Sequence, residues 1–90
     1  PTSSQFVEDQ LGPVLSLRSK EKQSELLRTL EELVSNVSVE TIATRLGIVS
    51  KTVRYRKRNL EKLLGVNLDS IDTLSNLSLA LKIRSIIGTE

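Results

Sequence analysis

Ninety residues carrying a net charge of +2 and neither Cys nor His rule out disulfides and thiolate metal sites, and they remove the commonest general base and metal ligand, so no enzyme, metal or cofactor is expected. No apolar run approaches the roughly 20 residues that span a bilayer, and no charged-then-apolar leader opens the chain, which points to a cytoplasmic protein away from the membrane. Phe6 and Tyr55 are the only aromatics, so a core in a chain this short, which buries roughly 60 to 65% of its unfolded surface, has to be aliphatic.

The chain opens at Pro1 without an initiating Met, as expected of a piece of a longer polypeptide whose sensor region lies elsewhere. A lead-in over residues 1–18 contains the first element: Phe6, Val7, Leu11, Val14 and Leu15 fall on one side of a short helix from Ser4 to Leu15, which Gly12 and Pro13 should break or bend. From Ser19 to about Asn36, Leu26, Leu27, Leu30, Leu33 and Val34 recur at three and four residues, the spacing of a helix that walls a core. Ser19 serves as its N-cap and Asn36 as its stop signal.

Ser38 offers a cap to a brief helix through Leu46, with Glu40 in the first turn, where the helix dipole favours a carboxylate. Ile42, Ala43 and Leu46 form its inner side. Gly47 supplies the positive φ of a tight exit, and a further helix runs from Ser50 to Leu64 with Gly65 as its stop. Two helices joined by a short glycine-containing turn make a helix-turn-helix over residues 39–65. Within it Ala43, four before Gly47, permits close helix approach, while Ile48 and Val53 face inward and fix the interhelical angle. Val66 to Ser70 reads as a loop with Leu68 tucked in and Asp69 or Ser70 as cap. The last helix, Ile71 to about Ile87 within residues 70–88, is apolar on two sides: Leu74, Leu77 and Leu81 on one, Leu79, Ile83 and Ile86 on the other. The expectation is an all-α fold of about five helices, folded as one domain, with Leu79, Ile83 and Ile86 as the surface through which a second copy would pair in a homodimer.

Charge is concentrated in one place. Residues 49–65 hold six basic residues against one acidic, a balance of +5, whereas residues 1–48 balance at −2 and residues 66–90 at −1. At about 100° per residue, Lys51, Arg54, Tyr55, Arg58 and Lys62 gather on one side of the second helix of the unit and Val53, Leu60 and Leu64 on the other. A basic face with an exposed aromatic, opposite an apolar one, is what double-stranded DNA requires of a recognition helix. Ser50, Lys51, Arg54 and Tyr55, near its N-terminus, are placed for base edges, and Arg58 and Lys62 for phosphates. Thr52 suits a phosphate contact or a local backbone hydrogen bond equally well. Arg56 lies nearer the apolar side, where it needs an internal carboxylate, with Glu40 or Asp72 as candidates. Lys57 should lay its stem on the core and send its ammonium outward. The competing reading is a protein-interaction or dimerisation module built on the two-sided last helix.

From Leu26 to Ile87 the sequence resembles the C-terminal helix-turn-helix domain of the PucR-like transcription regulators, relatives of the sugar-diacid regulators. Leu30, Ala43 and Leu46, then Thr52-Val53-Arg54-Tyr55-Arg56, Leu63-Leu64-Gly65 and Leu79-Ala80-Leu81 carry the likeness. The resemblance implies a bacterial transcription factor that binds operator DNA as a dimer or higher oligomer. Val49, Ser50 and Lys51 stand where that family usually has His, Arg and Asn, and Lys57 where it has an apolar residue, so the family's base preference does not carry over.

Overall fold

A computed structural model describes residues 2–88. Among them are five helices and no strand: α1 Ser3–Leu15, α2 Lys20–Leu33, α3 Val39–Leu46, α4 Ser50–Leu64 and α5 Ile71–Ile87. The fold is all-α, as the periodicities require. Four of the five N-termini are closed by a hydroxyl that accepts from a backbone N–H three residues on: Thr2 from Gln5, Ser19 from Lys22, Ser38 from Thr41 and Ser70 from Thr73. Each satisfies one orphan donor of its helix. Of the two cap candidates before α5, Ser70 takes the position.

The segment between α2 and α3 turns at Asn36, which adopts φ 58° and so ends the helical run, as its side chain suits it to do. The exit from α3 is a Schellman arrangement. Gly47 takes φ 68°, its N–H donates to the Thr44 carbonyl at 3.3 Å, and the Ile48 N–H reaches the Ala43 carbonyl at 3.0 Å. α4 begins after a turn of three residues, so α3, the turn 47–49 and α4 form a helix-turn-helix with the bounds expected.

α1 departs from expectation. It runs unbroken through Gly12 and Pro13 to Leu15. Two features account for this. Gly12 has no Cβ to meet the proline ring, which relieves the restriction on a residue before proline. Pro13 is exposed while Leu11 and Val14 on either side are fully buried, so their packing holds the segment helical. The carbonyl of Leu15, left open at the helix end, accepts from the Gln23 side-chain amide at 3.0 Å, tying α1 to α2.

Each helix sends one large side chain into the same core: Leu11, Leu30, Ile42, Leu60 and Leu77 are all fully buried. Val53 joins them at 0% exposure and Ala43 at 6%, with Ile48 partly buried against the cluster, so the inward residues of the helix-turn-helix are where their spacing puts them. Leu68 is tucked in from the loop. Thr29 is the one buried polar side chain among the described residues, and its hydroxyl is satisfied by the Glu25 carbonyl at 2.8 Å. α5 packs on α1 and α2, and α4 on α1, α2 and α3. The outer surface of α5 therefore lies away from the helix-turn-helix. No helix among the described residues is long and apolar enough to cross a membrane.

Candidate nucleic-acid interface

α4 is held by Val53 and Leu60, both at 0% exposure, and these fix which side of it faces solvent. On the outward side Lys51, Arg54, Tyr55, Arg58 and Lys62 are all exposed, Tyr55 at 59%. Ser50 and Thr52 are half-buried at the edge of that face. The structure thus brings the predicted contact residues together on one surface. The Thr52 hydroxyl makes no hydrogen bond within the described residues, so nothing in its own backbone competes for it.

Ion pairs sort the cations of α4 into two sets. Arg54 Nη2 lies 3.0 Å from Glu40 Oε2, on the first turn of α3. Arg56 turns inward, with a side chain 18% exposed, and donates from Nη1 to the Thr29 hydroxyl at 3.4 Å, while its Nη2 stands 3.9 Å from Glu25 Oε2. Lys57 lays a mostly buried side chain along the protein and reaches Asp69 at 2.7 Å. Lys51, Arg58 and Lys62 have no carboxylate partner among the described residues. The single carboxylate of residues 49–65, Glu61, is spent on the Leu68 N–H at 2.9 Å. What α4 offers to solvent is therefore positive, and the free charges alternate with a tyrosine whose ring stands clear of the core.

The internal partner of Arg56 is corrected. An inward arginine held by a carboxylate is found, but the carboxylate is Glu25 of α2, and neither Glu40 nor Asp72 takes that place. Arg54 and Arg56 project about 200° apart on the helix, so α3 receives the first and α2 the second. Glu40 is thereby assigned to Arg54, one of the residues expected at base edges.

Two surface features were not anticipated. Val49, the N-cap of α4, makes no side-chain cap bond and is 66% exposed, an apolar group at the leading end of the basic face. Lys22 of α2 lines one groove with Thr52, Tyr55, Arg56 and Asn59, and a second with Asn59 and Lys62. Thirty residues separate Lys22 from Thr52, and no periodicity within α2 tells which part of α4 it will border. On α5, Leu79 is 50% and Ile86 69% exposed, joined by Ile71 at 79%, whereas Ile83 is half-buried against the core.

A glycine-turned pair of helices, the second basic on its open side and anchored by valine and leucine on the other, defines a helix-turn-helix protein. The sequence pattern of the PucR C-terminal helix-turn-helix domain matches residues 26–83, and the chain belongs to that family. The match begins within α2 and ends within α5, so it takes in the whole helix-turn-helix together with the helices that flank it. Membership carries the general role of a DNA-binding part of a transcription regulator. No curated protein and no solved structure matches the chain.

Proposed function

We propose that the chain is the DNA-reading domain of a bacterial transcription regulator, acting in the cytoplasm, and that it lays α4 in the major groove of duplex DNA. The observation that carries this is the open side of α4, where Lys51, Arg58 and Lys62 are unpaired among the described residues and Tyr55 is exposed, directly after a helix-turn-helix turn. Lys51, Arg54, Tyr55 and Arg58 recur at three, four and seven residues, so they line one stripe that a groove-bound helix presents to base edges and phosphates. Ser50 and Thr52 flank the leading end of that stripe, and Lys62 extends it toward the backbone. Arg54 is suited to a guanine edge, a contact worth about 1 to 3 kcal/mol of discrimination.

The proposed assembly is a homodimer. The exposed apolar residues of α5, Ile71 and Leu79 foremost, lie on a helix that packs on α1 and α2 and leaves α4 open, so a second copy there would not block DNA. Two-fold pairing suits recognition of two half-sites.

Binding to a pool of random duplexes, followed by salt titration on the selected sequence, tests the reading. Affinity should fall by about 0.9 log units per log unit of salt for each phosphate neutralised, and Arg54→Ala with Arg58→Ala should abolish the preference for the selected duplex. Salt-insensitive binding, or retention of both affinity and preference in the double variant, refutes it. The same experiment decides the one rival reading that an observation favours, a protein-interaction module using the exposed α5 residues: there, duplex binding would be absent and self-association the sole activity.

A further inference from the structure

The basic face does not end at the edge of α4. The groove between α2 and the C-terminal half of α4, about 350 Å³, has a floor of Leu17, Leu26 and Leu63 and a rim of Lys22, Asn59 and Lys62. Both lysines are exposed and neither has a carboxylate within ion-pair distance among the described residues. Glu25, which lines the adjoining groove with Lys22 and Tyr55, is turned to Arg56. Two uncompensated ammonium groups and an amide around an apolar floor suit a polyanion whose charges are spaced by an apolar unit. That is the deoxyribose-phosphate backbone: sugar over the leucines, successive phosphates at the lysines.

We infer that Lys22 of α2, beside Asn59 of α4, forms a second phosphate-backbone contact that flanks the recognition stripe and widens the DNA footprint onto α2. The inference rests on the reading of α4 as a groove-bound helix. Such a contact fixes register and adds affinity without carrying sequence information. Tyr55 stands between the two surfaces, lining the groove that joins Lys22 to Thr52 and Asn59, so a strand leaving the base-reading residues would pass from Tyr55 to Lys22.

The experiment compares the chain with Lys22→Gln and with Arg84→Gln, an equal loss of charge on α5, for binding to the selected duplex and to a scrambled one between 50 and 200 mM salt. Lys22→Gln should lower affinity for both duplexes by the same factor and make the salt slope shallower by about 0.9. Across that range the advantage of the unaltered chain then shrinks about 3.5-fold for one phosphate lost. Arg84→Gln should keep the original slope, and helicity and melting should be the same in all three proteins. Salt-sensitive binding with the same slope in Lys22→Gln, or the same change in Arg84→Gln, overturns the α2 contact while leaving the α4 reading intact. A chain that binds neither duplex overturns both.

Discussion

Arg54 of α4 and Glu40 of α3 are joined, Nη2 to Oε2, at 3.0 Å, with side chains 52% and 69% exposed. A pair so open to water contributes about 0 to 1 kcal/mol to stability, and its consequence lies in binding. It aims the guanidinium along the helix-turn-helix and sets a carboxylate beside it, which a phosphate repels and a guanine edge tolerates. Glu40→Gln should leave urea stability within about 1 kcal/mol of the original. It should also raise affinity for unrelated duplex several-fold while the gap to the selected duplex narrows. Fluorescence anisotropy on both duplexes measures this, and an unchanged ratio would show that Glu40 plays no part in discrimination.

Stability and recognition should separate within the helix-turn-helix. Leu60→Ala empties a fully buried site on the inner side of α4 and should cost about 2 to 5 kcal/mol, a large share of the roughly 5 to 15 kcal/mol that holds a domain. Gly47→Ala meets no atom within 4 Å, yet the residue sits at φ 68°. Its cost is then backbone strain alone, about 1 to 2 kcal/mol. Urea titrations of the two variants should rank them in that order, and a Gly47→Ala loss as large as that of Leu60→Ala would mean that the turn does more than hold a left-handed residue.

Much of this was legible from residue types alone. Ser19, Ser38 and Ser70 ahead of helical periods, and Gly47 and Gly65 behind them, mark ends with local chemistry, and local chemistry needs no knowledge of the tertiary fold. The basic side of α4 was equally readable, since a helix carries its own geometry. Interhelical choices were not. Glu25, Glu40 and Asp72 are equivalent carboxylates until the packing angles decide that α2 faces Arg56 and α3 faces Arg54. Lys22 was invisible for the same reason: its neighbours Thr52, Tyr55, Asn59 and Lys62 all lie on another helix. The continuation of α1 past Pro13 depends on the burial of Leu11 and Val14, which a breaker rule does not weigh.

That continuation has a measurable cost. Pro13 has no N–H for the helical ladder of α1, and it is exposed, so its ring contributes little packing. Pro13→Ala restores a donor and a better helix former near the end of the helix, against a smaller loss from a more flexible unfolded chain. A gain of about 1 to 2 kcal/mol is expected by urea denaturation. A loss would mean that the proline positions the turn at residues 16–19 that leads into α2.

The exposed side of α5 carries the last prediction. Ile71 and Leu79 are eight residues apart, which turns them about 80° from each other round the helix, and both border one shallow groove that Leu74 and Val34 also line. Ile83, half-buried against the core, is a poor place to test association, because a charge there would damage folding as well. Leu79→Asp puts a carboxylate at a site already 50% exposed and should leave helicity and melting close to those of the unaltered chain. If two copies meet at this groove, sedimentation should show the variant shifted to monomer. Duplexes with paired half-sites about 34 Å apart should then lose their advantage over a single half-site, because the linkage between the two recognition helices is gone. Equal mass in both proteins, with the paired-site advantage retained, would place the dimer contact elsewhere on the chain.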